Sequence, residues 1–543
     1  MQIIIPMSGF GERFRRDGYK VPKPLISIEG KPIIHHVIDM FPDETKFIFI
    51  CNEDHLKNEF YDMRSTILDY CPTGKVVSIK PHKLGPVHAV LQVADLIDNE
   101  DQVVVNYCDF TCYWNWEDFK DFVKHSGVKG SVPAYRGFHP HSLGTTNYAY
   151  IKENNMMMQD IQEKEPYTDN RMHEYASSGT YYFSSGSLML EAFQYTINNN
   201  LNTGNEFYVS LAYKYLLMNN DLVSIYPLQH FMQWGTPQDV DEYNEWSMVF
   251  KKIGNRHTSF TSDGYRVIPM AGLGKRFSDE GYLTSKPLIG VSGKKMVEQA
   301  LESLPNTKNN IFVLRQDMKQ SQEISNELKE RFKGTSILMT SGLTEGQACT
   351  AQMGIKELND EDGPIIFGAC DNGAIYNEDA LQDLLNTSYD LIVWGTRGYI
   401  NAIRNPNSYG WIQLGANNNI SLVSVKEPLS SKKNDPVVLG TFIFKDVKTC
   451  NSVIDSLIAR NEKVNGEFYL DSCVNDAISM NLNVKFFEVD HFICWGTPND
   501  LRTFKYWQSC FSKWKSHPYS LKSDNMIPVD KITEIESEYS DFE

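Results

Sequence analysis

The chain has 543 residues, of which 41% are hydrophobic and 22% are charged, and its formal net charge is −17 at pH 7. This acidic balance argues against a general nucleic-acid-binding or anionic-membrane-binding surface, although it leaves room for a local cationic pocket. No run of about 18 apolar residues occurs, so we expect no membrane-spanning helix. The ten cysteines are scattered without a Cys-x-x-Cys pair, which favours a reducing, cytoplasmic compartment.

Short apolar runs alternate with helical patterns along the first half of the chain. The start, Met-Gln-Ile-Ile-Ile-Pro, lacks the basic residues of a signal peptide and is predicted to be a buried strand. The patterns predict strands at 2–6, 46–51, 76–80, 102–107 and 222–227, and helices at 31–41, 86–97, 116–125 and 206–218. This alternation predicts an α/β fold with a mostly parallel sheet, helices on both faces, and ligands beyond the carboxyl ends of the strands.

The second half of the chain repeats motifs of the first. Residues 3–34 and 266–297 each contain an apolar strand, a Gly-x-Gly-x-Arg-Phe loop and Lys-Pro-Leu-Ile, and Arg precedes Lys by ten residues in both (23 − 13 and 286 − 276). The motif Trp-Gly-Thr-Pro at 234–237 recurs at 495–498. A repeat this long indicates duplication of a whole domain, so that the chain is a tandem of two similar units. We predict domains at 1–250 and 264–505, joined by a polar linker, and a segment at 506–543 with a packed helix and a disordered acidic end.

The glycine-rich loops suggest binding of a polyphosphate. A lone Gly-x-Gly is more often a tight turn, and these loops lack both the third glycine of the dinucleotide motif and the Gly-Lys-Ser/Thr of a P-loop. However, a strand followed by glycines and fixed cations suits phosphate oxygens, and the constant spacing in both copies favours that function. The loop residues concerned are Gly9, Gly11 and Arg13 in the first copy, and Gly272, Gly274 and Arg276 in the second.

With these motifs, both copies resemble the sugar-phosphate nucleotidylyltransferases, over about residues 1–245 and 265–505. The resemblance implies that the chain is two tandem domains of the Rossmann-like, GT-A-type fold. It also implies transfer of a nucleotide from a nucleoside triphosphate to a phosphorylated sugar or similar small acceptor, with release of pyrophosphate. It implies that the signature arginine contacts the triphosphate and that the signature lysine, Lys23 or Lys286, neutralises charge at the reacting phosphates.

The resemblance also implies further contacts in each copy. The segments 85–88 and 345–348, which contain Gly85 and Gly346, would contact the base. The acceptor would be bound by Glu163, Lys164 and Gly179 in the first copy and by Lys426 and Gly440 in the second.

Asp109 and Asp371 each follow an apolar strand, so each is expected beside its glycine loop. On position alone they could equally be turn or cap residues, but the resemblance implies that they hold Mg²⁺. Many family members have a second metal-binding aspartate where this chain has Gln233 and Cys494. The second ligand is therefore open, and Asp490 is a candidate in the second copy only.

Three alternatives stay open from the sequence. A GT-A glycosyltransferase would normally show Asp-x-Asp at the metal, which neither copy has. One copy could catalyse while the other binds nucleotide as a regulatory or scaffolding domain; Val425 opposite Glu163 points to the second copy as the non-catalytic one, or as one with another acceptor. Within the leading hypothesis, the short loop favours cytidylyl or guanylyl over thymidylyl transfer, and precursors of surface polysaccharide are the expected products.

Overall fold

In the computed structural model, which describes residues 1–145, 147–254, 260–359 and 363–540, the apolar run after Met1 forms a strand that is buried along most of its length. The chain divides into two units. The first comprises Met1–Ser247 with Lys513–His517, and the second comprises Met248–Ser512 with Pro518–Ser540. Of the predicted linker, residues 255–259 lie outside the described residues.

The strands and helices of the first unit agree with the predicted alternation, and we number them in chain order. The strands are β1 (Gln2–Met7), β2 (Ser27–Ile28), β3 (Lys31–Pro32), β4 (Lys46–Asn52), β5 (Lys75–Ile79), β6 (Val103–Asn106), β7 (Phe110–Tyr113), β8 (Gly130–Tyr135), β9 (Ala149–Asn154), β10 (Met157–Glu163), β11 (Tyr175–Ser177), β12 (Thr180–Phe183), β13 (Val223–Leu228) and β14 (His230–Gln233). The helices are α1 (Glu12–Arg16), α2 (Ile33–Ile38), α3 (Glu53–Lys57), α4 (Met63–Tyr70), α5 (Pro86–Leu91), α6 (Trp116–His125), α7 (Gly186–Asn198), α8 (Val209–Met218) and α9 (Pro237–Ile253).

The main sheet of the first unit has the strand order β11-β9-β10-β13-β8-β12-β6-β1-β4-β5. Strands β6, β1, β4 and β5 pair in parallel, as predicted. The expectation of a mostly parallel sheet is nevertheless wrong, because β12 lies between β6 and β8 and pairs antiparallel with both. The sheet is mixed, since the chain returns through β12 instead of adding another parallel strand.

The second unit contains the remaining elements. Its strands are β15 (Thr261–Pro269), β16 (Gly290–Val291), β17 (Lys294–Lys295), β18 (Asn306–Arg315), β19 (Thr335–Thr340), β20 (Ile365–Phe367), β21 (Asn372–Ile375), β22 (Leu391–Thr396), β23 (Gly410–Leu414), β24 (Ile420–Val425), β25 (Val437–Phe444), β26 (Val484–Glu488) and β27 (His491–Cys494). Its helices are α10 (Lys275–Asp279), α11 (Met296–Leu301), α12 (Ser321–Arg331), α13 (Gln347–Ile355), α14 (Glu378–Leu385), α15 (Ile400–Arg404), α16 (Val447–Arg460), α17 (Leu470–Ser479), α18 (Pro498–Lys513) and α19 (Ile532–Ser540).

The second sheet runs β19-β18-β15-β20-β25-β22-β26, and its strand β23 joins β24 to β25. This order matches β5-β4-β1-β6-β12-β8-β13 of the first unit, strand for strand. Neighbouring residues of its strands enter cores on opposite faces: Val267 packs in the core with α13, α16 and α17, and Ile268 in the core with α11, α12 and α14. Each fully buried aliphatic side chain of this kind stabilises the fold by about 1.5–3 kcal/mol.

The C-terminal segment differs from the expectation. The predicted boundary at 505 falls inside α18, whose counterpart in sequence is α9. The acidic end was expected to be disordered, but residues 532–540 form helix α19, because Ile535 and Tyr539 are buried and the Tyr539 hydroxyl donates a hydrogen bond to Gln508. Residues 541–543 lie outside the described part. None of the described helices is both long enough and apolar enough to cross a bilayer.

Candidate active site

The glycine loop of each unit turns directly from a strand into a short helix. In the first unit β1 ends at Met7 and α1 begins at Glu12, and the residue that precedes the helix, Gly11, has φ +63°. Gly274 holds the same place before α10, also with φ +63°. This left-handed conformation costs other residues about 1–2 kcal/mol, so glycine keeps the turn unstrained and open at the strand end.

A lysine and an aspartate meet below this loop. Lys23, at the start of a short 3₁₀ turn, places its Nζ 2.7 Å from Oδ2 of Asp109, which follows β6. Burial lowers the pKa of Lys23, but the negative charge of Asp109 and the hydrogen bond outweigh burial, so that this pKa lies above its ordinary value. Lys23 is therefore a fixed cation that is held at the carboxyl edge of the sheet.

The second unit repeats this ion pair between Lys286 and Asp371. The Lys286 ammonium also donates a hydrogen bond to the carbonyl oxygen of Gly496, at 3.1 Å. Here too burial lowers the pKa of the lysine, but the charge of Asp371, the hydrogen bond to it and the nearby thiols of Cys370 and Cys494 together raise this pKa above its ordinary value.

All of the site residues predicted in the first copy line one cleft of about 610 Å³. They are Gly9, Gly11, Arg13, Lys23, Gly85, Asp109, Glu163, Lys164 and Gly179. The glycine loop and the Glu-Lys pair are separated by about 150 residues in sequence and face the same space. The cleft also contains residues to which the sequence assigned no role, among them His82, Tyr107, Glu206 and Tyr208.

The far end of the cleft is a network around Lys164. Its ammonium donates a hydrogen bond to the hydroxyl of Tyr208, at 2.6 Å, and that hydroxyl donates to Glu206. The neighbouring Glu163 accepts a hydrogen bond from the Ser210 hydroxyl, at 2.5 Å. Burial raises the pKa of Glu163 to about 7, although Ser210 and the charge of Lys164 act in the opposite direction. Tyr208 is a site residue that sequence reasoning missed; its recurrence as Tyr469 was the available signal.

Gly85 brings the backbone of its loop against the segment that carries Tyr208. With φ +88° it precedes α5, and a Cβ added there would lie 2.7 Å from the backbone nitrogen of Phe207. The amide of Phe207 donates to the carbonyl of Leu84, at 2.9 Å, and the amide of Val87 donates back to the carbonyl of Phe207, at 3.1 Å. The glycine therefore permits two backbone hydrogen bonds, which we call the clamp, between its own loop and the segment that carries Tyr208.

The second unit has a smaller cleft, of about 310 Å³. Of the residues predicted in the second copy, those that line it are Gly272, Gly274, Lys286 and Asp371. Within the described part of this unit, the other predicted residues lie outside that lining; they are Arg276, Gly346, Lys426 and Gly440.

The residues outside the second cleft keep the local geometry of their counterparts. Gly346 approaches the backbone nitrogen of Phe468 so closely that a Cβ would lie 2.4 Å from it. Lys426 has φ +60°, as Lys164 has φ +64°, and its ammonium lies 5.1 Å from the ring centre of Tyr469. Gly440 has φ +88°, compared with +99° for Gly179.

The residues that line the clefts could hold Mg²⁺ together with a bound phosphate. This ion usually takes one or two carboxylates from the protein and completes its coordination shell with phosphate oxygens and water. Asp109 supplies one such carboxylate, and the Gln233 side chain lines the same cleft. In the second unit burial places the pKa of the Cys494 thiol well above its ordinary value, so this neutral thiol is a poor ligand for Mg²⁺.

Asp490, the other candidate for a second ligand, pairs with Lys252 at 3.1 Å and is not among the residues that line the cleft. Among the described residues, no three His, Cys, Asp or Glu side chains come together as a metal site.

A second carboxylate lies near Asp109 and near Asp371, but it caps the helix that follows. Asp239 accepts hydrogen bonds from the Thr236 amide, at 2.8 Å, and from its hydroxyl, at 2.6 Å, and Asp500 does the same for Thr497. The threonine hydroxyl accepts in return from the aspartate amide, which is the reciprocal pattern of a capping box. The motif Thr-Pro-x-Asp could have revealed this from the sequence.

Comparison with known proteins gives one family and distant relatives. Residues 2–240 match the family model described as Nucleotidyl transferase. Mannose-1-phosphate guanyltransferase beta-A of Xenopus laevis is 25% identical over 195 residues, which are 35% of this chain and 51% of that protein. Bifunctional protein GlmU of Campylobacter fetus subsp. fetus (strain 82-40) is 25% identical over 226 residues, 41% of this chain and 48% of that protein. The chain thus spans about half the length of these curated relatives.

Among solved structures, a nucleoside-diphosphate-sugar pyrophosphorylase from Vibrio cholerae RC9 is 19% identical, with a TM-score of 0.37, over 44% of this chain and 98% of that one. A similarity of this size says nothing about substrate.

Proposed function

Because residues 2–240 match the family model described as Nucleotidyl transferase, we propose that the chain is a nucleotidylyltransferase. It would join a nucleoside triphosphate to a sugar phosphate, or to a similar small phosphorylated acceptor, and release pyrophosphate. The observation that carries this proposal is the single cleft that combines the glycine loop, the Lys23–Asp109 pair and the Glu163–Lys164 pair. The glycine end suits a polyphosphate, and the Glu-Lys end suits a molecule that has both hydroxyl and phosphate groups.

In the proposed reaction, a phosphate oxygen of the acceptor attacks the α-phosphorus of the nucleotide. A new phosphorus–oxygen bond forms as the bond to the bridging oxygen breaks, and that electron pair leaves with pyrophosphate. Phosphate oxygens are nucleophilic without a general base, so positioning and charge neutralisation are what the protein must supply. The glycine loop and Arg13 would orient the triphosphate, and Lys23 would stabilise the charge that develops on pyrophosphate.

We propose that Asp109 and Asp371 hold Mg²⁺ in their respective units. When bound, this ion would neutralise charge on the nucleotide phosphates. Because each aspartate pairs with a lysine, the protein keeps its own positive charge at this position, which limits the cost of an isolated buried carboxylate.

We also infer that the two units are tandem copies of one nucleotidyltransferase domain. The support is the shared strand order of the two sheets, the equal φ of Gly11 and Gly274, and the recurring lysine–aspartate pair. Two such domains would make two activated precursors in the cytoplasm. We propose that both are used to assemble surface polysaccharide.

The test is pyrophosphate release by the full chain with Mg²⁺, for CTP, GTP, UTP, ATP and dTTP against a panel of sugar 1-phosphates and glycerol 3-phosphate. The wild type is compared with Asp109→Ala and Asp371→Ala, and each reaction is repeated with EDTA. We expect at least one nucleotide–acceptor pair whose turnover is lost in one variant and with EDTA. Release that survives both substitutions together would overturn the proposal.

A further inference from the structure

At the end of each unit that we propose binds the acceptor, the backbones have the same register but one group of side chains differs. Strand β10 ends at Glu163, which lies opposite Ala149 of β9, and strand β24 ends at Val425, which lies opposite Gly410 of β23. In each unit the next residue is a lysine whose amide donates to the carbonyl of a tyrosine, Tyr148 at 2.8 Å or Tyr409 at 2.9 Å. The register therefore makes Val425 the spatial counterpart of Glu163.

The side chain of Val425 cannot accept a hydrogen bond, and it packs against the apolar core of its unit. The second unit has a carboxylate elsewhere at this end. Helix α8 carries Ser210 as its second residue, and helix α17 carries Asp471 as its second residue. The hydroxyl that supports Glu163 in the first unit is thus replaced by an acidic group in the second.

Gly410 provides the space for this acidic group. A Cβ at position 410, such as Ala149 has in the first unit, would lie 2.4 Å from Oδ2 of Asp471. The three positions therefore change together: alanine, glutamate and serine in the first unit become glycine, valine and aspartate in the second. A change that moves a carboxylate and also makes room for it is not the pattern expected of a site that has lost its function.

Asp471 also has the electrostatic neighbour that Glu163 has. Burial raises the pKa of its carboxyl to about 6, and the positive charge of Lys426 acts against that rise. Glu163 likewise has Lys164 beside it. The side chain of Asp471 is partly exposed, and its carboxylate accepts a hydrogen bond from its own backbone amide. Because a carboxylate offers about four acceptor sites, it can still accept a hydrogen bond from a ligand, whereas Glu163 already accepts from the side chain of Ser210.

We propose that Asp471 is the residue that determines acceptor specificity in the second unit: its carboxylate accepts a hydrogen bond from a hydroxyl of a phosphorylated sugar or polyol, whose phosphate pairs with Lys426. This inference rests on the proposed function and extends it, since it assigns the second unit an acceptor of its own. The carboxylate of Asp471 is carried by helix α17, whereas that of Glu163 is carried by the end of strand β10, and the aspartate side chain is one carbon shorter. Asp471 therefore selects a hydroxyl at a different position on the acceptor from the one that Glu163 selects.

The experiment uses the full chain with the first unit silenced by Lys23→Ala and Asp109→Ala. Asp471→Asn preserves the size of the side chain, and Asp383→Asn makes the same chemical change at an exposed position on α14. Pyrophosphate release is measured for the nucleotide and acceptor panel described above, and calorimetry measures binding of the same sugar 1-phosphates and glycerol 3-phosphate. In Asp471→Asn we expect the acceptor KM and Kd to rise at least about tenfold, since a hydrogen bond to a charged group contributes about 1.5–3 kcal/mol, with the nucleotide KM within twofold. Asp383→Asn should change neither.

The outcomes separate the two hypotheses. Acceptor binding that depends on Asp471 without any turnover would contradict the proposed reaction and leave the site standing. Turnover with acceptor KM and Kd within twofold in Asp471→Asn would overturn the inference and leave the reaction standing. No binding by any panel member would overturn both.

As a gain-of-function arm, the exchange Gly410→Ala, Val425→Glu and Asp471→Ser should move the acceptor preference of the second unit toward that of the first. The reference is the chain that carries Lys286→Ala and Asp371→Ala. An exchanged chain that folds and keeps the original preference would count against the proposal.

Discussion

The two clefts agree at one end and differ at the other. At the strand edge each unit has a glycine at φ +63°, a lysine and an aspartate in contact, and a capping box that begins at Thr236 or Thr497. At the end that we propose binds the acceptor, the lining of the first cleft, of about 610 Å³, includes Lys164, whereas the lining of the second, of about 310 Å³, does not include Lys426. The groups that we propose bind phosphate recur in both units, except that Arg276 does not line the second cleft as Arg13 lines the first, whereas the groups proposed to distinguish one acceptor from another differ. Recognition can therefore change while the proposed chemistry is kept.

The largest expected effect comes from removing the lysine in one unit at a time. Lys23→Ala should lower the turnover of the first unit about 10²–10³-fold, by analogy with the loss of a group that stabilises developing negative charge, and Lys286→Ala should do so for the second. If the two units make different products, each variant loses one product and keeps the other, as steady-state pyrophosphate release will show. The exposed Lys20→Ala and Lys275→Ala are the controls. Turnover within a few-fold of wild type in Lys23→Ala would refute its assigned role.

Substitution of the clamp glycines should destabilise both units. Gly85→Ala and Gly346→Ala place a Cβ 2.7 Å and 2.4 Å from a backbone nitrogen, in a backbone conformation that is essentially restricted to glycine. We expect a loss of about 2–5 kcal/mol in the free energy of unfolding, measured by urea denaturation, with the larger loss in the second unit because its contact is closer. Gly127→Ala, with φ +69° and nothing within 4 Å of the added Cβ, is the reference for a glycine with positive φ that has no close contact. Equal losses in all three variants would show that the close approach is unimportant.

The buried carboxyls predict a pH dependence that differs between the units. In the folded state the pKa of Glu163 is about 7, above its ordinary 4.5, so the fold binds this proton more tightly than the unfolded chain does. Stability from this group is complete below about pH 4.5 and is lost as the pH rises to about 7. Glu163→Gln should remove that loss, at most about 3 kcal/mol and less for a partly exposed side chain.

For Asp471→Asn the corresponding window lies between pH 3.8 and about 6. Urea midpoints for wild type and both variants at pH 4, 5, 6 and 7.5 test the two windows. If the wild type and Glu163→Gln change in parallel from pH 4.5 to 7, the raised pKa is wrong.

The smallest effect is expected at the helix caps. Thr236→Ala and Thr497→Ala each remove the side-chain half of a capping box, which typically costs about 0.5–2 kcal/mol. Because the geometry is the same in both units, the two losses in unfolding free energy should agree within experimental error. A loss in one unit only would mean that the caps are not equivalent.

The sequence predicts the shared end of the clefts well and the differing end poorly. Asp109 could be placed beside the glycine loop because both follow parallel strands, whose carboxyl ends share one edge, and the contact between Lys23 and Asp109 agrees with that placement. The antiparallel β12 could not be predicted, since an apolar run does not reveal its direction. Asp471 was missed because it lies 46 residues beyond Val425 (471 − 425) and only the register of β23 and β24 brings it there. Helix α19 was missed because acidic composition hides the two residues that bury it.

The tripeptide Glu206-Phe207-Tyr208 connects two parts of the first cleft. The backbone of Phe207 is hydrogen-bonded to Leu84 and Val87, which flank Gly85 in sequence. The hydroxyl of the next residue, Tyr208, accepts a hydrogen bond from Lys164. The loop of Gly85 and the network around Lys164 are thus held by adjacent residues of one segment, so a shift of either would disturb the hydrogen bonds of the other. We propose that a different acceptor is accommodated by changing the side chains around this shared backbone and not by moving the segment. Changes of this kind distinguish Ala149, Glu163 and Ser210 from their counterparts in the second unit.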